Sequence, residues 1–110
     1  MNQKEMNDFT RKYFDKGFKY TKNIINHDSN TTTEHKRLVN EICLWLSNNK
    51  VDFYTRVFLK GGEIVDIVAP GLPRPFIEVR CSELGKQKEY LKEYDGLRIY
   101  VDDTDPFRLL

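Results

Sequence analysis

Two strand-like runs joined by a glycine pair constrain the fold of this 110-residue chain more than any other feature of its sequence. The first run, VDFYTRVFLK over residues 51–60, is rich in β-branched and aromatic residues, which favour strands. Gly61-Gly62 is typical of a tight hairpin turn, and EIVDIVA over 63–69 then predicts the return strand. We therefore expect an antiparallel strand pair at the start of a sheet.

Two more strands and a helix are predicted after this hairpin. PGLPRP over 70–75 predicts a turn, and FIEVRCS over 76–82 predicts the third strand. LGKQKEYLKEYDG over 84–96 predicts a helix that ends at Gly96, and LRIYVDD over 97–103 predicts the fourth strand. Because a helix connects the last two strands, we expect the fourth to run parallel to the third.

Two helical segments precede the hairpin. Apolar residues recur with a roughly helical period from residue 4 to about 26, although Gly17 weakens the pattern. We expect this helix to pack its aromatic side chains on the domain, with a dimer contact or a nucleic-acid-binding arm as alternatives. A polar loop then leads to a second helix over about 34–48, with Thr31–Thr33 as candidate N-caps. The inner stripe of the second helix consists of Leu38, Ile42, Trp45 and Leu46.

The order of elements predicts an α/β protein with a mixed four-stranded sheet flanked by helices. Residues 1–30 are predicted to form an N-terminal amphipathic helical extension and loop, and residues 31–110 the core. With 39% hydrophobic and 13% aromatic residues, the chain can bury a real core. A net charge of +1 predicts no strong non-specific binding to nucleic acid.

The location of the protein is predicted from what the sequence lacks. No segment has the apolar length of a membrane span, and the N-terminus carries no apolar signal-peptide core. We therefore expect a cytoplasmic protein (in the host cytoplasm if the chain is viral) that does not engage a membrane. Cys43 and Cys81 are expected to be reduced thiols, since neither belongs to a C-x-x-C or zinc-ligand pattern.

Three charged residues interrupt the apolar strands. Asp66 lies in the return strand, and Glu78 and Arg80 share one face of the third because side chains alternate along a strand. If the two strands are neighbours, Asp66 approaches Glu78. Two close carboxylates raise each other's pKa unless a cation lies between them, and oxygen ligands suit Mg²⁺ or Mn²⁺. The alternative is a buried Asp66–Arg80 ion pair with Glu78 as an exposed edge residue.

The acid in the return strand, followed by Glu78-Val79-Arg80, resembles the PD-(D/E)XK nuclease motif: an acid, a variable gap, then acid-x-Lys. The family core is a helix, three strands that begin with a hairpin, a helix and a strand, which matches residues 34–103. EHKRLVNEICLWL over 34–46, together with IEVR, looks most like small archaeal Holliday-junction resolvases and compact viral nucleases. The resemblance implies a restriction-endonuclease-like core with α-β-β-β-α-β order, here with an extra N-terminal helix.

The resemblance also implies an activity and a set of residues for it. The activity is metal-dependent DNA endonuclease cleavage, structure-selective or resolvase-like, with Mg²⁺ or Mn²⁺ as cofactor. Asp66 and Glu78 would be metal ligands, the Val79 carbonyl would face the metal, and Glu34 would be an outer or additional ligand. Arg80 takes the place of the motif lysine. It can hold a phosphate or stabilise negative charge, but it cannot act as a general base.

Several basic and polar side chains are candidates for contacting DNA. Ser82 shares the face of Glu78 and Arg80, and Lys86 or Lys88 can supply a substitute ammonium. Further candidates around the acids are Lys36, Arg37, Arg56, Lys60 and Arg74. His27 and His35 are expected to be surface residues, since no Cys/His set accompanies them.

The expected partner is duplex or branched DNA. Cutting both strands calls for two sites related by a two-fold axis, which predicts a homodimer. The alternatives are a catalytically impaired nuclease-fold domain that binds DNA or a protein, and an unrelated small α/β interaction module.

Overall fold

The computed structural model describes residues 1–80, 96–101 and 104–110. Within these ranges the chain forms two helices and four strands: α1 (Gln3–Tyr13), α2 (Thr33–Asn48), β1 (Tyr54–Phe58), β2 (Ile64–Val68), β3 (Phe76–Arg80) and β4 (Gly96–Tyr100). The predicted helix between the last two strands lies outside the described residues, apart from its last position. That position, Gly96, is the first residue of β4 and not the end of a helix.

The strands form one mixed sheet in the order β1-β2-β3-β4. β2 pairs antiparallel with β1, and β4 pairs parallel with β3, as the sequence predicted. β2 also pairs antiparallel with β3, so the two strands that carry the acids are neighbours. The hairpin between β1 and β2 closes where Leu59 N donates to Glu63 O at 2.9 Å. Gly62 has φ +94° in this turn, a conformation that glycine adopts without steric cost. The α/β class and the mixed four-stranded sheet are therefore confirmed.

The second helix covers one face of the sheet. Thr32 caps it, with its hydroxyl accepting from His35 N at 3.2 Å, which selects one of the three predicted threonines. The helix buries Leu38, Ile42 and Leu46 against strand residues of the same face. Those strand residues are Ile67, Ile77, Val79, Leu97 and Ile99. This α2 cluster is the larger of the two apolar clusters among the described residues.

The first helix covers the opposite face. Met6 and Phe14 are buried in a second apolar cluster with Val57, Val65 and Phe76. The ring centroids of Phe9 and Phe76 lie 5.6 Å apart, and those of Tyr13 and Phe76 5.2 Å apart. The aromatic side chains of α1 therefore pack on their own sheet, as expected, and charged residues occupy the outer face of the helix.

The prediction that the first helix continues to residue 26 is wrong beyond Tyr13. Phe14 adopts an extended conformation and forms an isolated bridge with Leu59. Asp15 N donates to Phe58 O at 2.8 Å, and Lys60 N donates to Tyr13 O at 3.0 Å. Pairing with the outer edge of β1 thus replaces helical hydrogen bonds, and residues 14–26 follow that edge. Within the described residues, no helix is long and apolar enough to cross a membrane.

Candidate functional site

The ladder between β2 and β3 ends beside Asp66. Its register pairs Ile67 with Ile77 and Val68 with Phe76, so the next position would place Asp66 opposite Glu78. There the Asp66 side chain, and not its backbone, bonds to β3, since Asp66 Oδ2 accepts from Val79 N at 2.8 Å. The carboxylate therefore lies at the point where the two strands separate, and it is fixed to the backbone of β3.

The regular alternation of side chains also breaks at this position. Val65 and Val68 both lie in the apolar cluster covered by α1, whereas Ile67 lies in the α2 cluster. On the neighbouring strand, the residue opposite Asp66 is Arg56, which has φ +48°. A left-handed residue inside a strand is uncommon and marks a local distortion. The distortion turns Asp66 toward α2.

His35 on α2 meets Asp66 there. Its Nε2 lies 3.3 Å from Asp66 Oδ1, and its side chain is only 12% exposed. The hydrogen bond to Asp66 is the main cause that raises the pKa of His35, with added help from the charges of Asp66 and Glu78 and from a hydrogen bond to the Val79 backbone. These effects outweigh partial burial, which lowers the pKa. The expectation that His35 is a surface residue is therefore wrong.

Glu78 is buried on the adjacent strand. It is 5% exposed, and its Oε2 lies 3.2 Å from Arg80 Nη2. Burial, and then the nearby charge of Asp66, raise the pKa of Glu78 to about 7, although Arg80 and Arg98 act in the opposite direction. The alternative of an exposed Glu78 beside an Asp66–Arg80 pair is therefore wrong, because Glu78 is buried and is itself the partner of Arg80.

The remaining predicted site residues are less closely assembled. Glu34 is exposed on α2, and the contact with Asp66 comes from the residue after it. Lys36 is half-buried on α2, and Arg74 is exposed, with its Nη2 donating to Gly96 O at 2.9 Å. Arg37, Arg56 and Lys60 are exposed, and three more predicted DNA contacts, Ser82, Lys86 and Lys88, lie outside the described residues.

The position of His35 was detectable from the helical pattern. It precedes Leu38 by three residues and Val39 by four, so it extends the buried stripe of α2 toward the N-terminus. Glu34 also precedes Leu38 by four residues, but it lies at the exposed margin of the stripe. The pattern therefore favoured the histidine over the acid as the side chain that faces β2.

Asp66 and Glu78 open toward two adjoining hollows. His35, Asp66 and Arg56 line one of them, and Glu78 and Arg80 line the other. Ile64 contributes to both and is 49% exposed, so it forms the partition between them. The two acids are thus electrostatic neighbours that face separate openings.

The carboxylates of Asp66 and Glu78 meet only part of what a hard cation such as Mg²⁺ needs. Among the described residues, no group of three or more His, Cys, Asp or Glu side chains is arranged to hold a metal ion. Mg²⁺, however, is commonly held by one or two carboxylates, with water and substrate phosphate completing the shell. The raised pKa of Glu78 beside Asp66 also means that a cation close to both acids would favour their charged forms.

Comparison with known proteins adds no relative from which a role can be transferred. No family model matches the sequence, and no curated protein or solved structure matches it either.

Proposed function

We propose that this chain is a metal-dependent DNA endonuclease that hydrolyses phosphodiester bonds, with a structure-selective or resolvase-like preference. One observation carries the proposal: the Asp66 carboxylate occupies the gap where β2 and β3 separate, next to the buried Glu78. Ionising a buried carboxyl beside a second acid is costly, and a bound cation would lower that cost. The restriction-endonuclease-like identity of the core and the Mg²⁺ or Mn²⁺ requirement are parts of the same proposal.

Each side chain of the site has a role in this chemistry. Asp66 and Glu78 hold the cation, which when bound polarises a phosphate and favours ionisation of water. His35 fixes the orientation of Asp66 through the 3.3 Å contact. Arg80 supplies positive charge for the phosphate, because an arginine stays protonated and can make two parallel hydrogen bonds to an oxyanion.

The experiment is a cleavage assay on supercoiled, linear, single-stranded and four-way-junction DNA, with Mg²⁺, Mn²⁺ or EDTA. We expect cleavage that needs the metal and that falls by about 100-fold or more in Asp66→Asn, since charge stabilisation at a reacting group is typically worth that much. Asp8→Asn is the matched control, because Asp8 is exposed on α1. The proposal fails if the wild type cuts none of the substrates, or if Asp66→Asn cuts as fast as the wild type.

The second candidate is a catalytically impaired nuclease-fold domain that binds DNA or a protein. The observation in its favour is the 3.2 Å contact between Arg80 and Glu78, in which a guanidinium already neutralises one of the two acids. Arg80→Lys separates the candidates, since lysine is the residue of the motif. Cleavage that appears only in Arg80→Lys favours the impaired domain, whereas cleavage by the wild type with a smaller change in the variant favours the active nuclease.

A homodimer belongs to the nuclease proposal, because two strands are cut most simply by two sites. Sedimentation velocity of the full chain, alone and with a four-way junction, measures this directly. A single protomer on each junction that is cut on both strands would contradict the dimer and leave the cleavage chemistry standing.

A further inference from the structure

A groove runs between the outer edge of β1 and the segment that follows α1. The segment is held at its start, where Asp15 N donates to Phe58 O at 2.8 Å, and at its far end, where Asn23 N donates to Phe53 O at 2.8 Å. Between these points its backbone arches away from the strand. The Tyr20 hydroxyl reaches back to Phe58 O at 3.0 Å. The space under this arch is an open cleft at the surface.

Flat aromatic rings lie at this groove. Phe18 stacks on Phe58 with ring centroids 4.0 Å apart and an angle of 6° between the planes. Phe18 nevertheless remains 48% exposed, a large value for a phenylalanine that is already stacked. The exposed ring offers a surface on which another planar group can stack.

Positive charge lies beside the rings. Lys19 and Arg56 line the groove, and no Asp or Glu belongs to its lining within the described parts of the chain. The Arg56 guanidinium carbon is 5.8 Å from the centroid of the Phe58 ring, and Asp28 is its nearest acid, at 3.6 Å and outside the groove. Exposed rings beside cations fit a ligand with flat rings and negative charges.

Two backbone positions with unusual conformations flank the groove. Asn23 has φ +64° and Arg56 has φ +48°, and neither is a glycine. Asparagine adopts this conformation readily, whereas for arginine it costs free energy, and such outliers are found preferentially at functional sites. Here they set the path of the arch and the direction of the Arg56 side chain.

The groove adjoins the hollow that contains Asp66. Asn26 and Arg56 line both of them, so the two openings meet at these side chains, on the side of β2 where His35 contacts Asp66. A polymer can thus bind at one end and present a phosphate at the other.

We propose that this groove binds a single-stranded DNA segment. A base stacks on Phe18, and Arg56 and Lys19 contact the phosphates. Sequence-tolerant single-strand binding typically combines aromatic stacking with basic side chains in this way. The delivery of the strand toward Asp66 rests on the proposed nuclease function, whereas binding in the groove does not.

The test is fluorescence anisotropy of a labelled thymidine oligonucleotide with the full chain, in EDTA and at low salt, where no cleavage occurs. We expect saturable binding that weakens about tenfold in Phe18→Ala, the loss typical of one stacked base. Phe18→Leu should weaken it similarly, and Phe18→Tyr should retain it, because stacking needs the ring. Arg56→Gln should weaken binding and reduce the salt slope by about one phosphate contact.

Lys4→Gln is the control for charge, since Lys4 is exposed on α1, away from the groove. Circular dichroism of each variant verifies that it is folded. The proposal is overturned if the oligonucleotide does not bind, if Phe18→Leu binds as well as the wild type, or if Lys4→Gln weakens binding as much as Arg56→Gln. A protein that binds the strand but never cuts it would overturn the nuclease function alone. A nuclease indifferent to changes at Phe18 would overturn the groove alone.

Discussion

Glu78 brings an ionisable group into the interior of the sheet, and its free energy of ionisation depends on what surrounds it. Little of the residue reaches water, since it is 5% exposed, and Asp66 adds a second negative charge. Arg80 offsets part of this cost from 3.2 Å. The result is a carboxyl whose pKa is raised to about 7, so the charge on Glu78 changes within the range of pH in which the protein is handled.

The first prediction concerns the stability of the protein against pH. The pKa of Glu78 is about 7 when folded and 4.5 ordinarily, so the folded state holds a proton that the unfolded chain releases between these values. The contribution of Glu78 to stability is therefore greatest below pH 4.5 and is lost as the pH rises to about 7. The full loss is roughly 3 kcal/mol, at about 1.36 kcal/mol per pKa unit.

Urea denaturation of the wild type and of Glu78→Gln at pH 5 and pH 8 measures this effect. Glutamine removes the titration and keeps the shape. We therefore expect the wild type to lose about 2–3 kcal/mol relative to the variant between the two pH values. Glu78→Gln also weakens the contact with Arg80, but that effect does not change with pH and cancels when the two pH values are compared. A difference in unfolding free energy that stays constant with pH would contradict the raised pKa.

At the level of single residues, the sequence located the acids but not their partners. Asp66 and Glu78 stood out because carboxylates inside apolar strands are unusual. The contact of His35 with Asp66 joins positions 31 residues apart along the chain, and that of Arg80 with Glu78 lies within one strand. Glu78 and Arg80 were predicted to share a face, but that His35 and not Glu34 contacts Asp66 depends on how α2 packs on β2.

At the level of elements, the sequence predicted the helices and turns that are determined by short-range interactions. The helix α2 and the hairpin were predicted because a capping threonine, an apolar stripe and a glycine turn are each contained in a few residues. Residues 14–26 were predicted as helix and are not, because Asp15 N donates to Phe58 O and Phe14 forms a bridge with Leu59, more than 40 residues away. A helical period of aromatic residues therefore continued past the end of the helix.

The second prediction is that α1 and the residue after it are integral to the fold. Phe14 is 4% exposed and packs against Tyr54, with ring centroids 5.1 Å apart. Phe14→Ala should therefore lower the free energy of unfolding by about 3–5 kcal/mol, the usual effect of removing a buried ring. Phe18→Ala is the matched control, because Phe18 is 48% exposed. Equal losses in the two variants would show that the N-terminal segment does not cover the sheet.

Because α1 covers the sheet, a dimer contact on this helix has to be tested by point substitution and not by truncation. Removing residues 1–28 would strip the cover from Val57, Val65 and Phe76 and expose an apolar sheet face. Such a truncated chain is expected to aggregate, whatever the oligomeric state of the intact protein. Point substitutions on the charged outer face of α1, such as Arg11→Glu, test the contact without uncovering the sheet.

At the scale of the whole molecule, helices on both faces of the sheet leave the groove beside β1 and the gap between β2 and β3 as openings among the described residues. The net charge of +1 supplies no general attraction for DNA. Under the proposed function, DNA binding must therefore come from local arrangements, namely the basic side chains beside the groove and a cation held by the acids in the gap. A bound cation would join the gap and the groove into one surface for a phosphodiester chain.

The third prediction is that Mn²⁺ stabilises the whole molecule, and more so at high pH. A ligand that binds only the folded state at about 100 times its Kd adds about 2.7 kcal/mol, which raises the Tm of a domain of this size by roughly 10 °C or more. At pH 8 Glu78 is already ionised, whereas at pH 5.5 the ion must displace a proton from a group whose pKa is about 7. Differential scanning fluorimetry with and without Mn²⁺ at the two pH values measures both effects.

The controls for this measurement show whether Mn²⁺ binds at the two acids or elsewhere on the surface. Asp66→Asn removes one proposed ligand and keeps its size, so the Mn²⁺ shift should largely disappear. Asp8→Asn removes an exposed acid on α1 and should keep the shift. Asp66 and Glu78 line separate hollows and Ile64 lines both, so a smaller side chain at position 64 gives a shared ion more room. Ile64→Ala removes the partition, and since Ile64 is 49% exposed the fold should tolerate it. A larger Mn²⁺ shift in Ile64→Ala would locate the ion between the acids, and an equal loss of shift in both aspartate variants would contradict the site.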